Sequence, residues 1–208
     1  MDKRFLLLGI GNVLWADEGF GVRCLEHISE HYSFAENVSL LDGGTQGIYL
    51  LQHVQDADIL VVFDAIDYGL KPGTLKLVRD DEVPKYMGAK KMSLHQTGFQ
   101  EVLAMSEFTG HYPQEILLIG VQPDILEDFG GSLTDGVRQQ IQPAVDVALK
   151  FLAERGVHPL PAGSDANSRV ASISPELAIS EYEEGRPSED AAFRFGDARF
   201  IPAPENNL

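Results

Sequence analysis

The apolar and polar positions divide the first 156 residues into short continuous runs and longer periodic ones. The short runs are Phe5 to Leu8, VSLLD at 38–42, ILVVFDA at 59–65 and EILLIGVQP at 115–123, the last ended by a proline. Continuous runs of this kind predict strands covered on both faces, and ILVVFDA, β-branched and aromatic, is the clearest. Thr74 to Val78, after the turn signal Pro72-Gly73, predicts a short edge strand. The longer runs carry helical spacing. One covers 19–32, with Phe20, Leu25 and Ile28 inward, and one covers 46–55. Another runs from His95 to Phe108 on Phe99, Val102, Leu103 and Met105. A last helix of about 20 residues is expected up to Arg155.

Strands alternating with helices predict the α/β class: a single domain with a doubly wound, mostly parallel twisted sheet, flanked by helices on both faces. The texture changes after Gly156. Residues 157–208 are rich in Pro, Gly, Ser and Glu, and are expected to form an appendage, irregular or partly mobile, on the surface of domain 1–156. Within it, ELAISEY can form a short helix.

Composition narrows the function. A chain of 208 residues buries one good core and leaves room for an appendage. A formal net charge of −16 argues against a nucleic-acid partner. One cysteine, Cys24, permits no intrachain disulfide and fits a reducing compartment. Set in the first helix near acids, it is expected to fill core and not to act as a nucleophile. No apolar run approaches the roughly 20 residues of a membrane span, and MDKR leads directly into a strand without a signal peptide. The expectation is a cytoplasmic protein without direct membrane insertion.

Candidate chemistry gathers where strands end. After the first strand, Gly9 and Gly11 permit a tight turn with close backbone approach. They supply two glycines of a dinucleotide fingerprint, with Asp42 as its acid, but Leu14 stands at the third glycine. Asp17 reads as a helix N-cap. Glu18 is expected to point across the carboxyl end of the first strand, the edge where open α/β sheets bind ligands. Asp64 closes the third strand on the same rim, where a carboxylate must be solvated, paired or coordinated. His95 opens a helix. Two carboxylates and one imidazole suit a divalent ion such as zinc or nickel with positions left open. Singly, each has an ordinary reading as a cap or surface residue. Ser93 with His95 and Asp64 makes a competing nucleophile set, although neither GxSxG nor HExxH occurs. Asp42-Gly43-Gly44-Thr45 reads either as a simple turn or as a loop against which a peptide could lie.

Five blocks then occur in order between residues 4 and 156: GIGNVLWADEGFGVR, LLDGGTQG, VVFDAIDYG, KKMSLHQ and IGVQP. Together they resemble the maturation endopeptidases of nickel-iron hydrogenases, most of all those serving membrane-bound uptake hydrogenases. The tail resembles the extended C-termini of that subgroup more loosely. The resemblance implies an α/β sandwich and an endopeptidase that removes the C-terminal extension of the hydrogenase large subunit precursor after nickel insertion, permitting final folding and assembly. It implies metal-binding roles for the Glu of ADE, the Asp of FDA and the His of LHQ, here Glu18, Asp64 and His95. It associates Asp42, Gly43, Gly44 and Thr45 with substrate recognition. The implied metal is nickel, read here as the ion carried by the precursor and not one held tightly by the enzyme. A conventional metallopeptidase, a non-catalytic nickel-checking chaperone and a nucleotide-binding enzyme on the same rim are the alternatives.

Overall fold

A computed structural model describes residues 3–87, 94–126, 128–161, 170–171 and 178–185; for 86–87, 94–97, 161 and 170–171 the description covers the backbone only. The elements in chain order are β1 (Phe5–Ile10), α1 (Phe20–His31), β2 (Tyr32–Ser33), β3 (Val38–Gly44), α2 (Leu51–Asp56), β4 (Ile59–Ala65), β5 (Leu75–Arg79), α3 (Val83–Met87), α4 (Leu94–Phe108), β6 (Glu115–Val121), α5 (Asp135–Arg138), α6 (Ile141–Ala153), β7 (Leu160–Pro161), β8 (Val170–Ala171) and α7 (Ile179–Glu184).

The main sheet has the order β5-β6-β4-β1-β3-β8. Its neighbours run parallel except β5, which lies antiparallel on β6. Every residue of β1 and β4 is buried, which is why their sequences run apolar without alternation. Successive side chains still point to opposite faces. Leu7, Val61, Phe63, Leu117 and Ile119 join Phe20, Leu25 and Ile28 of α1 and Val145, Ala148 and Leu152 of α6. Leu8, Leu60, Val62 and Leu118 join Val54 of α2 and Phe99, Val102 and Leu103 of α4 on the other face. Each fully buried Val, Leu, Ile or Phe among them contributes roughly 1.5–3 kcal/mol of transfer free energy. Cys24, 0% exposed, is part of the first core, as its helical setting predicted.

From β1 the chain crosses through α1 to β3, then returns through α2 to β4 on the other side of β1. The winding therefore reverses between β1 and β4, and in open α/β sheets the crevice outside such a reversal is where ligands bind.

Several local expectations change. The last helix is two helices, α5 and α6. Pro143, in the first turn of α6, has no N–H for the Gln139 carbonyl, and its ring would clash with that carbonyl in a continuous helix. Residues 46–55 divide into a 3-10 turn at Gly47–Leu50 followed by α2. Gly43 and Gly44 are not a turn but the end of β3, with Gly44 paired to Ile10. Beyond Gly156, β7 pairs with β2 in a separate two-stranded ribbon, β8 adds to the outer edge of β3, and α7 starts within ELAISEY. Among the described residues, no helix is long and apolar enough to cross a membrane.

Candidate active site

The crevice is built on a close backbone contact. A Cβ on Gly21 would lie 2.2 Å from the Phe63 carbonyl oxygen and 2.3 Å from that of Ile10, and one on Gly9 would lie 2.5 Å from the Gly21 carbonyl oxygen. The start of α1 is thereby pressed onto the carboxyl ends of both β1 and β4. Gly21 does the helix-packing work that the fingerprint assigns to the position of Leu14. The rest of the fingerprint fails on geometry. At Gly11, φ is +138° and a Cβ would stand 1.8 Å from the Glu18 carbonyl oxygen. The room such a turn gives a pyrophosphate is filled by the chain itself.

Between them, residues 12–19 form a braced turn. The Asn12 N–H donates to the Glu18 carbonyl at 3.1 Å, the Glu18 N–H to the Trp15 carbonyl at 2.9 Å, and the Leu14 N–H to Asn12 Oδ1 at 3.0 Å. Glu18 sits half-buried in the 3-10 turn Ala16–Gly19. Asp17 is not the N-cap of α1; that position is Gly19, without a side-chain cap bond. Asp17 is fully buried. Its Oδ2 accepts the N–H groups of Asp124 and Ile125, each at 2.9 Å, and the Thr134 hydroxyl at 3.0 Å, while Oδ1 accepts the Thr134 N–H at 2.7 Å. It thus ties the turn after β1 to the segment after β6. Trp15 and Phe129 repeat that tie outside, as a backbone bridge and an edge-on ring pair 5.4 Å apart.

Asp64 is 0% exposed, so its carboxylate is not simply solvated at the rim. It pairs in register with Gly120 and alternates with Val62 and Leu60 onto the face covered by α2 and α4. The backbone brings His95 to that end of the same face. His95 lies in the first turn of α4, and a Cβ on Gly98, three residues on, would lie 3.1 Å from the Gly47 Cα in the turn after β3. The His95 side chain, Ser93 and the Lys90-Lys91 pair lie outside the described residues. Among the described residues, no three His, Cys, Asp or Glu side chains gather in metal-holding geometry.

Asp42 stands across β1 from Phe63, on the α1 face of the sheet, whereas Asp64, one residue on, turns to the opposite face. Gly9 pairs with Asp42 on one side and with Phe63 on the other, so the β3 and β4 backbones here are two strand spacings apart, about 10 Å. Asp42 Oδ1 accepts the Gly44 N–H at 2.9 Å. Burial raises its carboxyl pKa, with the Gly44 hydrogen bond and the Arg23 charge opposing. Gly43 is buried, and a Cβ there would lie 2.8 Å from Leu8 Cδ1; Gly44 adopts φ +44°, and Thr45 is exposed. The Gly11 N–H donates to the Gly44 carbonyl at 3.1 Å, joining this stretch to the turn after β1.

Gln122 carries a role that its position before a proline does not signal. Buried at the end of β6, its Oε1 accepts the N–H groups of Tyr68 and Leu70 at 2.8 and 3.0 Å, and its Nε2 donates to Asp67 Oδ1 at 3.0 Å, which fixes the loop after β4. The rim loops also expose Leu14, Ile48, Tyr49, Leu70, Ile125 and Phe129. An acid-bearing crevice ringed by exposed apolar side chains suits a protein segment as its ligand.

Residues 22–151 match the family model described as "Hydrogenase maturation protease". The chain is 66% identical over 197 residues to the hydrogenase expression/formation protein HoxM of Azotobacter vinelandii, covering 95% of this chain and 94% of that protein. It is 42% identical over 159 residues to the hydrogenase 2 maturation protease of Escherichia coli K12, covering 76% of this chain and 96% of that one. Among solved structures, the hydrogenase maturating endopeptidase HybD from E. coli superposes with a TM-score of 0.72 at 41% identity, over 76% of this chain and 97% of that one.

Proposed function

The chain belongs to the hydrogenase maturation protease family, and from that premise we propose that it is the endopeptidase that removes the C-terminal extension of a nickel-iron hydrogenase large subunit precursor once nickel has been inserted. What supports this reading is the rim at the β1/β4 reversal, with Glu18 in the turn after β1, Asp64 at the end of β4, Asp42–Thr45 at the end of β3, and Gly98, three residues after His95, packed on Gly47.

In this reading the nickel ion is part of the substrate. Oxygen and nitrogen donors alone hold a borderline metal modestly, whereas precursor thiolates hold it well, so the ion stays with the precursor. Glu18, Asp64 and His95 meet it from the enzyme side and so register the scissile peptide against the rim. Asp42 to Thr45 seat the extension, and the exposed apolar loops receive the chain around it. Cleavage then waits for nickel because the unloaded precursor lacks one of the contacts that align it. The ionised form of a buried acid such as Asp64 gains most from a cation placed next to it. The cytoplasm is the proposed setting.

The test incubates the purified chain with nickel-loaded and with nickel-free precursor and reads both by mass spectrometry. The loaded precursor should lose the mass of its C-terminal peptide and the nickel-free one should persist. Glu18→Ala, Asp64→Asn and His95→Ala should each remove that loss while the circular dichroism spectrum stays native. Full activity of His95→Ala would sink the assignment. Binding of loaded precursor without any mass loss would point to a chaperone instead. A stoichiometric ion on the enzyme, whose chelation stops cleavage of loaded precursor, would make the metal the enzyme's own.

A further inference from the structure

The segment beyond Gly156 comes back to the rim. The Ile179 N–H at the start of α7 donates to Glu26 Oε1 at 2.6 Å, and Glu26 Oε2 accepts from Arg23 Nη1 at 2.8 Å, both side chains being buried on α1. The Arg23 guanidinium lies 5.6 Å from the centre of the Tyr182 ring. One side of α7 is therefore seated on an ion pair of α1, whose Arg23 also acts on Asp42.

On the same side, one turn after Ile179, Glu183 reaches the segment that precedes α6. Glu183 accepts the Ser132 hydroxyl at 2.5 Å and is bound by both terminal nitrogens of Arg138, while Arg138 Nη2 also donates to Ser132 Oγ at 3.1 Å. The same segment is held from within the fold at Asp124, Ile125 and Thr134 by Asp17, the neighbour of Glu18. Residues 124–126 and 128–138 are thus gripped twice, once by a fully buried carboxylate and once by an ion pair whose side chains are each 36% exposed. The two grips differ in kind. A buried acceptor of several N–H groups is part of the fold's stability. A partly exposed pair contributes little to global stability but still confines the groups it joins. The match to the family model ends at residue 151, so α7 lies outside the matched part.

We propose that α7 is a positioning element for the active site: through Glu183 it fixes residues 128–138 against Asp17 and so sets the wall of the rim, with Ile125 and Phe129 on it, that receives the precursor. This rests on the protease reading above. Glu183, Arg138 and Ser132 act through the wall and are positioning residues. Their loss should loosen the wall without unfolding the chain, and should weaken precursor binding more than it slows turnover.

Full-length Glu183→Gln and Arg138→Ala are compared with the parent chain in three measurements: amide exchange of residues 124–138, melting temperature, and kcat and KM on nickel-loaded precursor. Exchange across 124–138 should rise while β4 and β6 stay protected and the melting temperature hardly moves. KM should rise about two- to fivefold with kcat near the parent value, the sign of lost uniform binding and the size of a partly exposed ion pair. Unchanged exchange in both variants would show that α7 does not hold the wall and would overturn the proposal. Raised exchange with an unchanged KM would also overturn it, by making the grip merely structural. If the parent chain itself fails to cleave loaded precursor, the protease reading falls, and the exchange result still decides whether α7 holds the wall.

Discussion

Asp17 and Glu18 are neighbours in different surroundings. Glu18 is half-buried in the turn after β1, whereas Asp17 is fully buried and accepts four hydrogen bonds from Asp124, Ile125 and Thr134. Asp17→Ala would leave three part-buried N–H groups without that acceptor and should destabilise the fold by about 1–3 kcal/mol, read as a lowered urea midpoint. Glu18→Ala should stay within about 1 kcal/mol of the parent while processing collapses. Asp42 behaves differently again. Its carboxyl pKa is raised in the folded chain, so the native state holds the proton more tightly than the unfolded one does. Stability is therefore lost as pH rises through the window from the unfolded value, about 3.9, to the raised folded one. Asp42→Asn keeps an acceptor for the Gly44 N–H and removes that loss. It should melt higher than the parent at pH 7, and the gain should vanish once pH falls below the carboxylate range. Cleavage by the same variant reads the role of the charge in seating the precursor.

The element that organises the crevice is the pair β1 and α1, locked through Gly9 and Gly21. In Gly21→Ala the new methyl must push α1 off two strand carbonyls, and overpacking of this kind costs about 1–3 kcal/mol. The variant should melt lower than the parent and cleave poorly, because a shifted α1 moves the turn that carries Glu18. Gly136→Ala, with nothing within 4 Å of the added carbon, is the control and should melt no lower. The strands were legible in the sequence because burial on both faces leaves only apolar residues to choose from, as in ILVVFDA. That Glu18 and Asp64 share a rim was legible for a related reason, since parallel strands end on one side. Asp17 was not, because its partners lie more than a hundred residues away and its local context reads as a helix start. Gly43 and Gly44 read as a turn because glycine carries no strand signal. The strands β7 and β8, two residues each, are too short to leave a pattern.

At the scale of the whole molecule, the segments are tied together by carboxylates held on arginines. Glu115 is kept below the usual carboxylate range chiefly by its hydrogen bonds from Arg155, and Glu183 chiefly by those from Arg138. A depressed folded pKa means stability that is fully present above the unfolded value, about 4.3, and lost as pH falls through the folded one. The urea midpoint should therefore hold steady down to roughly pH 4.3 and fall below it, and the fall should be shallower in Arg155→Met. Cys24 has a consequence of another kind. Soft metals pass between proteins by ligand exchange, in which an incoming thiolate displaces an outgoing one. The chain's single sulfhydryl is sealed in the core, and burial pushes its pKa up, so it stays protonated and out of reach. On the reading proposed above, the enzyme meets a thiolate-bound ion with no thiolate of its own to offer. On that reading it inspects the cargo of its substrate and is denied the means to carry it off.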